Sequence, residues 1–191
     1  FEGAIQASGW QNARTDSIFR MYFEALAKKY HFSLDVPVDT NTPIITGIAG
    51  KKGFCSINIE KDMMNSEVGF CRKALQAFEE NGISIEHMPS GIDTMTIVVH
   101  ADEFMHKEQS VVSAIHRLAE PDSVEIESGL ALIAVVGRGM KSTRGTAGRI
   151  FSALAHNGVN IKMIDQGSNE MNIIIGLGNN DFERSIRAIY E

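Results

Sequence analysis

A chain of 191 residues with 43% apolar and 22% charged positions is an ordinary globular composition, and it excludes a disordered protein. A net charge of −6 argues against a nucleic-acid binder, which needs a basic face. No apolar run reaches membrane-spanning length; the longest, Leu130 to Val136, suits a buried strand. Two cysteines, Cys55 and Cys71, fit neither a metal-ligand spacing nor a disulfide framework, so a reducing, cytoplasmic setting without a metal is expected. No signal peptide opens the chain, and its first residue is Phe1, so it reads as a fragment whose start lies upstream.

Residues 1–43 give the weakest pattern. Ala13 to Tyr30 has helical spacing through Ile18, Met21, Ala25 and Leu26, with Asp16 as a cap; Trp10 is expected to pack. Val36-Pro37 through Thr42-Pro43 reads as a turn-rich linker. Ile44 to Ala49 is a β-branched run closed by Gly50, and Phe54 to Lys61 a second strand with Cys55, Ile57 and Ile59 on its buried side. Ser66 is placed to cap a helix whose apolar stripe is Val68, Cys71, Leu75 and Phe78, ending at Asn81-Gly82. Ile83 to Met88 and Met95 to Val99 are strands joined through Pro89-Ser90-Gly91. Val111, Val112, Ile115 and Leu118 mark another helix, and Val124 to Ile126 a strand. Leu130 to Val136 then opens a similar series: a helix from about Thr146 to His156, strands at Val159 to Ile164 and Met171 to Leu177, and a helix over Phe182 to Tyr190.

The two series are one module written twice. Shifted by 76 positions, Ile57 falls on Ile133, Met64 on Met140 and Gly69 on Gly145; Asn81-Gly82 falls on Asn157-Gly158, Ile85 on Ile161, Met95 on Met171 and Ile97 on Ile173. The first copy reads βαββαβ and the second βαββα, one strand short, with Ile44–Ala49 the available donor. The expected fold is therefore α+β: two ferredoxin-like modules, antiparallel sheets with helices on one face, the first module (50–128) inserted into the second (44–49 plus 129–191).

In such a module the loop from the first strand into the first helix aims backbone N–H groups at the space before the helix, which favours a carboxylate or phosphate. In the first copy that loop is Met63-Met64-Asn65-Ser66-Glu67-Val68-Gly69-Phe70. Gly69 lets the backbone approach a ligand, Phe70 and the methionines offer an apolar wall, and Ser84 and Glu86 offer groups for an ammonium: the chemistry of a small zwitterion. The same residues also suit simple capping and packing of a helix, and without the repeat that is the better reading. In the second copy, Gly137-Arg138-Gly139-Met140 and Gly145-Thr146-Ala147-Gly148 fail as a phosphate loop, because Lys141-Ser142 follows Met140 rather than glycine. Tight packing and a second ligand loop explain these glycines better. Nucleophilic catalysis finds little support: Cys71 is expected in the core, and His87, His100, His106 and His116 form no triad or metal spacing.

The stretches Lys61 to Phe70, Ser84 to Asp93, Val136 to Met140 and Asn160 to Glu170 resemble the regulatory half of bacterial monofunctional aspartate kinases, a pair of ACT domains, over roughly Ile44 to Glu191. The resemblance implies feedback control of aspartate phosphorylation by lysine, or threonine, bound where ACT domains of two subunits pair in a homodimer. It assigns Met63, Met64, Asn65, Ser66, Gly69 and Phe70 to the effector loop and adds Ser84, Ile85, Glu86 and Ser90, with Glu86 meeting the amino group. It gives Met140, Gly145, Asn160, Ile161 and Gln166 an interface or second-effector role. No cofactor is implied for this region; ATP and magnesium belong to a kinase domain whose motifs are absent here. The rival readings are a stand-alone ACT sensor acting on a partner protein, a dimerisation unit, and a small enzyme using Cys71 or His87.

Overall fold

The protein is described by a computed structural model covering residues 43–141 and 143–191. Trp10, the expected helix over Ala13–Tyr30 and the linker before Pro43 lie outside the described residues. In chain order the elements are β1 (Gly47–Glu60), α1 (Phe70–Glu80), β2 (Ile85–His87), β3 (Thr94–His100), α2 (Ala101–Met105), α3 (Glu108–Ala119), β4 (Ser123–Val136), α4 (Thr146–His156), β5 (Ile161–Asp165), β6 (Asn172–Gly178) and α5 (Phe182–Tyr190).

The chain divides into two compact units, Lys52–Ala131 and the described residues up to Lys51 together with Leu132–Glu191. The inserted unit has strand order β2-β3-β1-β4; in the outer unit the order is β5-β6-β4-β1. Each is the order of a ferredoxin-like βαββαβ module, so the fourth strand of the outer unit is the early part of β1. A bond from the Thr46 N–H to the Val136 carbonyl, at 2.8 Å, ties it in place, as Asp122 N–H to the Glu60 carbonyl does in the inserted unit, also at 2.8 Å.

Two predicted strand pairs are in fact single strands. The sequence separates Ile44–Ala49 from Phe54–Lys61 at Gly50, but β1 runs unbroken from Gly47 to Glu60, and β4 runs from Ser123 to Val136 without the break expected after Ile126. Gly50 marks a close approach rather than an end: a Cβ there would lie 2.6 Å from the Phe182 ring and 2.9 Å from the Leu132 carbonyl oxygen. Five-residue α2 had no counterpart in the sequence reading.

The repeat also needs one correction. Ile85 lies opposite Val99 and Ile161 opposite Leu177, a shift of 76 on the first strand of the hairpin and 78 on the second. Two extra residues therefore sit in the second hairpin, and Met95 and Ile97 match Ile173 and Ile175, not Met171 and Ile173. All four of the matched side chains are fully buried. The helix ends keep the original register. Asn81 and Asn157 each donate their side-chain amide four residues back, to Ala77 and Ala153, and Gly82 and Gly158 follow at φ 61° and 65°. These are glycine-terminated helix ends.

In the inserted unit the core is the helix-facing side of the sheet: Cys55, Ile57, Ile59, Met95, Ile97 and Val99 pack against Phe70, Ala74, Ala77 and Phe78 of α1 and Val111, Ala114 and Ile115 of α3. The stripe of α1 differs from the predicted one. Val68 precedes the helix and is 97% exposed, and Cys71 is exposed, because the helix starts at Phe70 and not near Ser66. The buried thiol is Cys55, pushed up to about 11 by burial and by the charge of Glu108. In the outer unit Ile133, Val135, Ile173, Ile175 and Leu177 of the sheet are buried, as are Ile150 and Leu154 of α4.

Two expectations follow. A Cβ at Gly137 would sit 1.9 Å from the Ile44 carbonyl oxygen, whereas one at Gly148 meets nothing within 4 Å. Gly137→Ala should cost roughly 1–3 kcal/mol or more, by backbone overpacking, and Gly148→Ala should be neutral or gain up to about 1 kcal/mol of helix propensity; urea unfolding of both variants checks the opposite signs. A thiol reagent at pH 8 should modify Cys71 rapidly and Cys55 only on unfolding; equal rates for the two thiols would contradict the burial described.

Candidate functional site

The loop between β1 and α1 starts from a strand end held on both sides. Lys61 donates its N–H to the Asp93 carbonyl at 2.9 Å, and Asn65 donates its N–H to Ile92 at 3.2 Å, so the loop lies against the β2–β3 hairpin. A short 3-10 turn covers Met64–Ser66, preceded by Met63 in the left-handed region at φ 56°. Gly69 then takes φ 84°, which launches α1 with no side chain accepting from its first turn. Among the described residues the N–H groups of Val68, Gly69, Cys71 and Arg72 have no acceptor; Phe70 donates to Glu67 and Lys73 to Gly69. Ser66, predicted to cap the helix, bonds instead to the Asn65 side chain at 3.3 Å.

Met64 and Phe70 send their side chains into the core, leaving Met63 (63% exposed) and Val68 as the loop's exposed apolar groups. Met88 and Ile92 of the adjoining hairpin are exposed as well. Ser90 bridges to Met95 at this same end of the sheet. Ser84, Ile85 and Glu86 lie elsewhere. Ile85 pairs with Val99, and the Glu86 carboxylate is 3.4 Å from Nε2 of His100, whose ring stacks at 4.7 Å on Phe54. Phe54 stands at the start of the pairing with β3 and the loop follows Glu60 at its end, about 20 Å away at 3.3 Å per residue. Within one chain, the structure brings Met63 to Phe70 together with Ser90 and leaves Glu86 apart from them.

A polar cluster that the sequence reading did not single out fixes the loop. Glu67 accepts from Lys73 at 2.7 Å on Oε1 and faces Lys61 Nζ at 2.9 Å on Oε2. Lys61 also donates to the Ala119 and Glu120 carbonyls at 3.1 and 3.0 Å, closing the end of α3, and its ammonium lies 5.7 Å from the Phe70 ring centroid. Asp62 N–H donates to Asp122 Oδ2 at 2.6 Å. Hydrogen bonds from Lys73 and then Lys61 hold the Glu67 carboxyl below its ordinary pKa. The Glu67–Lys73 spacing of six is not a helical pairing interval, so nothing in the sequence announces it before the Gly69 turn is known.

In the outer unit Gly145 takes φ 83°, nearly the angle of Gly69, and α4 likewise begins without a side-chain cap. Its loop is closed differently. Gly137 and Gly139 press on the backbone of Ile44 and Pro43, and Thr143 and Thr146 hydroxyls bond to the Gly139 and Thr143 carbonyls. Met140 is buried in this loop, Asn160 and Gln166 are exposed, and Ile161 pairs with Leu177. A cleft of about 770 Å³ opens between α4, α5 and the stretch Ile44–Ile48, lined among others by Arg149, Ile150, Ile189 and Tyr190. It contains none of the inserted unit's loop residues. No group of three or more potential metal ligands occurs among the described residues, and no described helix is long and apolar enough to cross a membrane.

Because the loop's Glu67 is depressed in the fold, its stabilising contribution is complete above the ordinary carboxylate range and is lost as pH falls through the lowered folded value. Urea unfolding from pH 6 to pH 3 should show the wild-type advantage over Glu67→Gln shrinking away; a pH-independent difference would contradict the ion-pair geometry.

Residues 133–191 match the family model described as ACT domain. The chain is 44% identical to Aspartokinase 3 of Bacillus subtilis over 154 residues, covering 80% of this chain and 34% of that protein. Aspartate kinase of Clostridium acetobutylicum matches in structure with a TM-score of 0.76 and 48% identity, over 82% of this chain and 36% of that one. E. coli aspartokinase III in complex with lysine and aspartate shares the fold at a TM-score of 0.63 and 19% identity, over 80% of this chain and 34% of that one. The chain spans about a third of the length of the curated relatives it matches. Two ferredoxin-like modules, one inserted in the other, with these sequence matches along most of the described residues, make the chain a tandem ACT region of the aspartokinase regulatory type.

Proposed function

We propose that this region senses a free end-product amino acid, lysine first and threonine second, and thereby controls aspartate phosphorylation by a catalytic region outside these residues. The observation that carries the reading is the uncapped first turn of α1: the N–H groups of Val68, Gly69, Cys71 and Arg72 have no acceptor among the described residues, at the start of a helix whose dipole favours an anion. An amino acid's carboxylate is the matching group. On this reading ATP and magnesium serve the catalytic region alone.

The ammonium end needs an acid, and Glu86 lies too far along β2 to serve its own loop. It serves the loop of a second copy paired edge to edge. Exposed Met63, Val68, Met88 and Ile92 supply apolar surface for that copy to cover. Lysine takes precedence because the loop motif is of the aspartokinase type and lysine-bound E. coli aspartokinase III has the same fold. Binding across the pair favours one arrangement of the dimer, and the catalytic region follows that population.

Titration of the chain with lysine, threonine and methionine by calorimetry, with melting temperature followed in parallel, should give a response to at least one of them. Glu86→Ala should weaken it about tenfold or more, the loss of one charge-assisted hydrogen bond, and Glu125→Ala should leave it unchanged. If none of the three produces heat or a shift while sedimentation shows a dimer, the region is a dimerisation unit instead.

A further inference from the structure

Glu67 is the loop's own carboxylate, and it stands two residues before the glycine that starts α1. Its backbone carbonyl already accepts from Phe70 at 3.3 Å, so its side chain is anchored within one turn of the unoccupied N–H groups of Val68, Gly69, Cys71 and Arg72. An acidic side chain beside a helix N-terminus ordinarily turns back onto such amides. Here it does not. Both oxygens are engaged elsewhere: Oε1 by Lys73 on the next turn of α1, Oε2 by Lys61 on the strand end. Lys61 is itself fixed by two carbonyls at the end of α3.

The other module shows that this arrangement is not a requirement of the fold. With the shift of 76, Lys61 corresponds to Gly137, Glu67 to Thr143 and Lys73 to Arg149, so the outer unit begins its helix on the same left-handed glycine with no acid to restrain. Where Gly137 lets two backbones touch, the inserted unit has room for a lysine side chain and uses its charge.

We propose that Glu67 is a tethered competitor for the effector's carboxylate, and that Lys61 and Lys73 are positioning residues that hold it away from the α1 amides and keep the site open. The inference deepens the effector reading above and rests on it for the ligand. The gate itself can be read without one. Release of either oxygen lets Glu67 cap its own helix, and an incoming carboxylate then has to displace it.

The test uses the full chain, with Lys73→Met to free Oε1; Lys73 is part-exposed, so the variant should fold. Amide hydrogen exchange without ligand is expected to slow by roughly tenfold at one or two of Val68, Gly69, Cys71 and Arg72, the protection given by a charge-assisted hydrogen bond to the freed oxygen. Lysine affinity should fall by about the same factor. Adding Glu67→Gln to Lys73→Met should return both to the values of Glu67→Gln alone, the baseline that lacks the competitor and its ion pairs. Unchanged exchange in Lys73→Met, or a double variant as protected and as weak as the single, overturns the proposal. If the exchange pattern reverses as described while the wild-type chain binds no amino acid, the gate stands and the effector reading falls.

Discussion

The first helix of each module begins on a glycine in the left-handed region, and that choice leaves the opening turn of the helix without a side-chain cap. Backbone N–H groups are obligatory donors, so a turn left open in this way is a standing demand for an acceptor. A serine or aspartate at the same position would have met the demand locally. Glycine cannot, and it bends the chain so that the preceding loop folds over the helix end rather than running on from it. The loop's contact with the β2–β3 hairpin, the inward turn of Met64 and Phe70 and the outward turn of Met63 and Val68 all follow from that bend.

The two copies share this frame and furnish it differently. The outer unit seals its loop with the backbone of Pro43 and Ile44, a contact that tolerates only glycine at positions 137 and 139. In the inserted unit charged side chains occupy the matching space: Lys61 closes α3, Glu67 joins Lys61 to Lys73, and Asp122 holds the Asp62 amide. One loop is locked by close packing, the other by partly buried ion pairs. The second kind of lock answers to charge and pH; the first does not.

Much of this was readable beforehand because it rests on local chemistry. Helices α4 and α5 were predicted at their observed ends, and the Asn-Gly pairs marked two helix stops, since asparagine's amide bond and glycine's left-handed conformation are written into those residues. The donor strand for the outer unit followed from counting elements. What failed needed tertiary knowledge. Gly50 looked like a strand end because its role, clearing the Phe182 ring, is set by a residue over a hundred positions away. Cys71 and Val68 fall on a buried stripe only for a helix that starts near Ser66, a turn before the Gly69 bend. The two extra residues of the second hairpin were hidden by chance identities at Met171 and Ile173. Within the candidate site, the loop's residues were legible as a motif, but the pairing of Glu86 with His100 and the Lys61–Glu67–Lys73 link depend on neighbours that only the folded chain supplies.

Strands β1 and β4 each begin in one unit and finish in the other, so the outer unit is assembled from two stretches of chain separated by the whole inserted unit. During synthesis its edge strand leaves the ribosome first and then waits for about 80 residues, on the order of 4–16 s at usual elongation rates. A free chain of that length would resist having its ends brought together. Once folded, the inserted unit removes that resistance, because its own β1 and β4 are neighbours and return the chain to where it departed. An insert that does not fold therefore leaves the outer unit with the full cost of closing that loop, so damage to one module weakens both.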